Sequence, residues 1–147
     1  MMTDRDEYGR TALHYAAANG RLEEAKQLIE QGADVDDRDS EEWTPLLFAS
    51  QAAHIDVAAA LLEAGANANA HNSKGQPALY FALFVRRMRE PGVGVSLIQT
   101  LREHGADATL KTIECFFGSM SVLDVAKKDF IEQGSGDDLV AVFEDLL

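Results

Sequence analysis

Thr11-Ala-Leu-His-Tyr-Ala16 is answered 33 residues later by Thr44-Pro-Leu-Leu-Phe-Ala49, and Leu28-Ile-Glu-Gln-Gly-Ala33 by Leu61-Leu-Glu-Ala-Gly-Ala66, all in one register. A fixed period of that size marks stacked supersecondary units, each unable to bury its apolar face alone. Stacking offers a long surface and usually no enclosed catalytic pocket.

The period continues with edits. In Pro77-Ala-Leu-Tyr-Phe-Ala82, Leu79 and Ala82 fall in register. The next Gly-Ala pair, Gly105-Ala106, lies 40 residues after Gly65, so a third unit carries a seven-residue insertion. Ser121-Val-Leu-Asp-Val-Ala126 opens a degraded fourth unit, and Val142-Phe-Glu-Asp-Leu-Leu147 closes it. A further short insertion falls near Lys111 to Gly118.

Each unit reads as two short helices. Leu13, Ala16 and Ala17 form one apolar stripe; Leu22, Ala25, Leu28 and Ile29 form a second, at helical spacing. Thr11 and Thr44 stand where N-caps are wanted, and Pro45 at a first helical position. Gly32 supplies the left-handed residue that stops the second helix. From Ala78 to Arg89 nothing breaks a helix, and Pro91-Gly92 ends the run. The spacing therefore predicts that the insertion lengthens the first helix of the third unit, presenting Arg86, Arg87 and Arg89 as a basic patch for an acidic group or for the chain's own acids. First helices should be shorter than second ones except in that unit.

These residues resemble the ankyrin repeat, whose pattern runs Asp-x-x-Gly-x-Thr-Pro-Leu-His-x-Ala-Ala-x-x-Gly, then Val-x-x-Leu-Leu and Gly-Ala-Asp. The first unit carries Asp6, Gly9, Thr11, Leu13, His14, Ala16, Ala17, Gly20, Leu28, Gly32, Ala33 and Asp34. The second carries Asp39, Thr44, Pro45, Leu46, Ala49, Leu61, Leu62, Gly65 and Ala66, with Glu42 where glycine is usual. The resemblance implies an all-α, ankyrin-like solenoid of about four stacked helix–turn–helix repeats linked by hairpin-like loops. The whole chain, 1–147, would be one such domain, with units near 6–38, 39–71, 72–111 and 112–147. It also implies a structural hydrogen-bonding role for His14, and a binding side formed by hairpin tips and first helices. In register, that side holds Glu7, Tyr8, Arg10, Ala18 and Asn19, then Ser40, Glu41, Trp43, Gln51 and Ala52, then Ser73, Lys74, Gln76, Phe84 and Val85.

Trp43 is the only tryptophan. It stands either as an exposed anchor of the kind enriched in binding hot spots or folded back on the neighbouring hairpin. Phe84 and Val85 are expected to pack under the insertion.

The net charge is −12. Contacts to nucleic-acid phosphates need clustered Lys and Arg, so unassisted nucleic-acid binding is not expected. A basic partner, or plain solubility, fits better. Acid concentrates in Asp34, Asp36, Asp37, Asp39, Glu41 and Glu42, relieved by Arg38. The segment reads as a solvated loop or as an electrostatic docking edge. As a calcium site it lacks the glycine and distant bidentate Glu of an EF-hand loop. One cysteine, Cys115, excludes an internal disulfide and fits a reducing compartment. The acidic opening is no secretory signal, and no apolar run reaches the roughly 18 residues of a membrane span. A cytoplasmic monomer is expected.

No catalytic, cofactor or metal site is predicted. His54, His71 and His104 are scattered and share no metal-ligand spacing with Cys115. Cys115, beside Phe116 and Phe117, reads as a buried or half-buried thiol without a basic neighbour to activate it. Gly92-Val-Gly94 and Gly134-Ser-Gly136 complete no phosphate-binding fingerprint and read as flexible loops. The expected function is recognition of another protein without chemistry. One form is a neutraliser that masks a basic partner, such as a secreted nuclease-type toxin; the other is an adaptor or assembly scaffold. The predicted contact residues are Glu7, Tyr8, Arg10, Asp36, Asp37, Asp39, Glu41, Trp43, Gln51 and Gln76.

Overall fold

A computed structural model describes residues 5–88, 91–115, 118–128, 134 and 137–147. Helices alternate along it: α1 (Ala12–Asn19), α2 (Leu22–Glu30), α3 (Pro45–Gln51), α4 (Ile55–Glu63), α5 (Ala78–Met88), α6 (Pro91–Glu103), α7 (Val122–Ala126) and α8 (Asp137–Val142). A 3₁₀ turn, Glu144–Leu146, ends the chain. The odd-numbered helices pack in one row and the even-numbered helices in a second, giving a helix–turn–helix solenoid. No helix among the described residues is long and apolar enough to cross a membrane.

Local chemistry sets the ends. Thr44 Oγ1 accepts from the Leu47 amide, with Pro45 in the first turn where no N–H is needed. Ser121 Oγ takes the Asp124 amide while Asp124 Oδ2 takes the Ser121 amide, a reciprocal cap on α7. The outer helices α2, α4 and α6 stop alike. Ala33, Ala66 and Ala106 each donate to the carbonyl five residues back, on Leu28, Leu61 and Leu101, at 3.0 Å. The glycine before each alanine supplies the positive φ, 91° to 95°, that this closure requires.

The core runs through the stack as equivalent layers. Leu13, Leu46 and Leu79 are buried at matching places, each 1% exposed. Val57, Leu61, Leu97, Ile98 and Leu101 fill the outer row. Alanines at the crossings, Ala17, Ala49 and Ala82 among them, are buried to 0% and let helices approach closely.

Two seams of polar bonds stitch successive pairs. At the hairpin tips, Ser40 N–H donates to Tyr8 O at 2.9 Å, Ser73 N–H to Glu41 O at 3.0 Å, and Thr112 Oγ1 to Gly75 O at 2.8 Å. In the turns after the outer helices, Asn67 N–H donates to Asp36 Oδ1 at 2.8 Å and Asp107 N–H to Asn69 Oδ1 at 2.7 Å.

The insertions depart from expectation. Helix α5 has 11 residues against 7 in α3, and α6 has 13 against 9 in α4. Both helices of the third pair have grown, and α6 remains the longer, because Pro91 starts a helix as readily as it stops one. Gly92 and Gly94 are therefore helical, not loop residues. A Cβ on Gly94 would stand 2.4–2.5 Å from Arg86 Cβ, Cα and N, so this glycine is what lets α6 lie against α5. Gly134 takes a turn conformation with φ 70°; Ser135 and Gly136 lie outside the described residues. The insertion before α7 holds a two-stranded antiparallel hairpin, β1 (Ile113–Cys115) and β2 (Gly118–Met120), with Cys115 opposite Gly118.

Candidate functional site

Three turns of one design carry the predicted contact face. Asp6 Oδ1 accepts the amides of Tyr8 and Arg10, both at 2.9 Å. Asp39 Oδ1 accepts those of Glu41 and Trp43 at 2.9 and 2.8 Å, and Asn72 Oδ1 those of Lys74 and Gln76 at 3.0 and 3.1 Å. Short Asp and Asn side chains mimic backbone acceptors in this way. The fourth turn position is left-handed in all three, at Gly9, Glu42 and Gly75, with φ 73°, 61° and 73°.

His14 fixes the first turn to the second. The Thr11 N–H donates to Nδ1 at 3.0 Å, so Nδ1 carries the lone pair. Nε2 therefore carries the proton and donates to the Trp43 carbonyl at 2.9 Å. Burial holds this imidazole below its ordinary pKa, which agrees with the neutral form. The structural role expected of His14 is what the geometry provides.

On the face formed by the tips and inner helices, side chains stack into one unbroken ribbon. The Arg10 guanidinium lies 4.9 Å from the Tyr8 ring centroid and 5.2 Å from that of Phe48. Trp43 stacks on Phe48 at 5.0 Å and on Phe81 of the next pair at 4.9 Å. Tyr80 meets Phe81 at 5.5 Å and Phe84 at 4.8 Å. Trp43 is thus half-buried between two rings, Phe48 of its own pair and Phe81 of the next. The ribbon's ends are open: Tyr8 is 51% and Phe84 37% exposed. Val85, by contrast, is buried. A groove of about 350 Å³ beside Trp43 is lined by Glu41, Asn72, Ser73, Lys74 and Gln76.

The acids of the first inter-unit segment are largely committed to the fold. Asp39 is 7% exposed, and its Oδ2 faces Arg10 Nε at 3.4 Å. Asp36 holds Asn67, Asp37 pairs with Arg5, Asp34 accepts the Asp36 amide, and Glu42 pairs with Arg38 at 3.6 Å. Asp34, Glu41 and Glu42 remain exposed while Asp36, Asp37 and Asp39 are partly or fully buried. Glu7 and Glu41 are exposed, and Glu41 gives one oxygen, Oε2, to the Ser73 hydroxyl at 3.2 Å. Among the predicted contact residues, Tyr8, Arg10 and Trp43 come together in the ribbon, and Glu41, Trp43 and Gln76 in the groove. Gln51 stands apart, exposed at the end of α3.

Tyr80, Phe48 and Phe81 joined the face unforeseen. Tyr15, Phe48 and Phe81 occupy one register position at a spacing of 33, so an aromatic column was visible in the sequence. Cys115 differs from expectation: it is exposed at the end of its hairpin, with Sγ donating to Gly118 O at 2.9 Å. Phe116 and Phe117 lie outside the described residues. So do Arg89 and the side chain of Arg87, which leaves Arg86, half-buried on α5, from the predicted basic patch.

A family model described as ankyrin repeats (three copies) matches residues 1–72 and 28–112. No curated protein matches the chain.

Proposed function

The chain belongs to the ankyrin repeat family, whose members generally serve as protein–protein interaction modules, and on that premise we propose that it is a non-enzymatic recognition domain gripping a basic protein on its tip-and-inner-helix face. The observation that carries this is the ribbon from Tyr8 to Phe84: seven stacked side chains across three helix pairs, open at both ends. The middle rings pack against the core, and the open ends present rigid aromatic side chains of the kind interfaces use as anchors.

The chain's charge of −12 points to a partner of opposite sign. The reading is a cytoplasmic monomer, one domain of four units near 6–38, 39–71, 72–111 and 112–147, that masks a basic partner such as a nuclease-type toxin. Affinity capture from native lysate, at low and then moderate salt, tests it. A basic protein held at low salt, released as salt rises, and lost when Tyr8→Ala and Phe84→Ala are combined supports the reading. An acidic partner, or one captured equally by the double variant, overturns it.

A further inference from the structure

The notches between successive hairpin tips share one plan but are filled differently. Between the first and second tips the chain fills its own notch: the Arg10 guanidinium lies over Tyr8 and Phe48, with Nε 3.4 Å from Asp39 Oδ2. One period of 33 residues later, Trp43 stands in the place of Arg10 and Asn72 in that of Asp39. The buried carboxylate has become a neutral amide and the cation an indole. This second notch is the groove of about 350 Å³.

The fold orients the groups that line it. Asn72 Oδ1 accepts two turn amides, so Asn72 Nδ2 faces Gln76, and the Gln76 atom that accepts it at 3.0 Å is Oε1. Gln76 Nε2 is thereby left with both its hydrogens unused. The Ser73 hydroxyl holds Glu41 by Oε2 at 3.2 Å, which leaves Oε1 as an acceptor. Phe48 and Phe81 flank the Trp43 ring, so the indole offers a ligand its edge, where its one N–H lies, and not its faces. Among the described residues, Trp43 Nε1, Gln76 Nε2, Lys74 Nζ and Glu41 Oε1 have no protein partner. They are not sealed in: the buried side-chain polar atom that lacks a partner is Ser50 Oγ, on another part of the fold.

Donors on three residues stand with one carboxylate acceptor, and Lys74 and Glu41 give the groove one charge of each sign. A lone cation would meet the Lys74 ammonium there, and a lone anion the Glu41 carboxylate. A peptide unit meets neither penalty, because it is neutral and presents both a C=O and an N–H. Resting on the reading that this face grips another protein, we propose that the groove between the second and third tips binds an uncharged, extended stretch of the partner's main chain. Trp43, Gln76 and Lys74 donate to its carbonyls, and Glu41 accepts one of its N–H groups.

The full chain, isotope-labelled, is titrated with N-acetyl-trialanine methylamide and with its fully N-methylated counterpart, which keeps every carbonyl and loses every N–H. The signals followed are the Trp43 indole N–H, the Gln76 side-chain amide and the backbone amides of Glu41 and Ser73. Saturable shifts confined to these positions are expected, about three- to tenfold tighter for the peptide that retains its N–H groups. Affinity should hold between about 0.05 and about 0.5 M salt, since the peptide carries no charge to screen. Trp43→Phe keeps the ring stack and removes the indole N–H; Gln76→Glu keeps an acceptor for Asn72 and removes the amide donors. Each should weaken the peptide about three- to tenfold, and Glu41→Ala should erase the preference between the two peptides. Circular dichroism and thermal melts check that the variants fold. Equal affinity for the two peptides, affinity that falls with salt, or unchanged affinity in both Trp43→Phe and Gln76→Glu overturns the groove. A basic partner captured from lysate as well by these two variants as by the unmodified chain also overturns it, while leaving the recognition reading intact. N–H-dependent peptide binding at the groove with no basic partner captured supports the groove and overturns that reading.

Discussion

His14 and Trp43 share a hydrogen bond that joins two helix pairs: the imidazole Nε2–H donates to the Trp43 carbonyl at 2.9 Å. The other nitrogen accepts the N–H that begins α1. One neutral ring therefore caps one helix and locates the residue at the middle of the aromatic ribbon.

Stability should fall as pH drops below about 6.5, the ordinary histidine value. Burial lowers the folded-state pKa of His14, while the bond to the Trp43 carbonyl, and after it Asp39 and Asp37, pull the other way. Between the lowered value and the ordinary one, the unfolded chain binds a proton that the folded chain refuses. The stabilisation is thus complete above that window and lost progressively through it. Urea unfolding at about pH 7.5 and about pH 5.5 measures the slope. His14→Leu, which installs the residue found at the matching place (Leu47), should lower stability overall yet flatten the slope. An unchanged slope would assign the pH dependence elsewhere.

Glu42→Gly should stabilise the protein by about 1 kcal/mol, since a side chain in the left-handed region costs about that much. Glu42 holds φ 61° where the equivalent turns have Gly9 and Gly75. Its ion pair with Arg38 is exposed and contributes little. A higher urea midpoint with an unchanged slope is the expected result.

Gly94→Ala should destabilise by about 1–3 kcal/mol through overpacking, because the added carbon meets Arg86 backbone at 2.5 Å. Gly92→Ala, two residues earlier, has nothing within 4 Å and should be neutral or gain up to about 1 kcal/mol in helix propensity. Denaturation of the two variants side by side checks the helix–helix contact; equal behaviour would remove it.

Asp39→Ala and Glu41→Gln should separate folding from recognition. The first strands two turn amides and faces Arg10 with no carboxylate, a loss of about 1–3 kcal/mol. The second leaves stability within about 0.5 kcal/mol and slows association with a basic partner at low salt. Thermal melts and association rates measured on both variants distinguish the roles. Stability lost in Glu41→Gln would place that acid among the structural ones.

The sequence made the period legible, and with it the buried leucines at 13, 46 and 79, the threonine caps and the glycines that close the outer helices. These depend on local rules that repeat every unit. The division of the insertion was not legible, because a proline between two helical stretches ends one and starts the next with equal ease. Gly94 read as loop because smallness at a helix contact looks like flexibility when the opposing Arg86 is unknown. The bonding of the acids was not legible either: composition gives charge, whereas Asp39 accepts amides of its own turn. Trp43 could be placed in register, but its two ring neighbours come from separate helices.

The two polar seams give the stack a mechanical character. Each bond ties a residue to one about a unit further on, so a helix pair in the interior cannot swing away without shearing joins in both seams at once. Among the described residues, the attachment thins beyond the third pair. Leu123 N–H reaches Ala108 O at 2.8 Å, and Arg102 grips the closing turn through the Val142 carbonyl and, at 2.6 Å, Asp145. Under tension, or in slow thermal breathing, the molecule has a built-in direction of peeling, with the aromatic ribbon on the part that yields last.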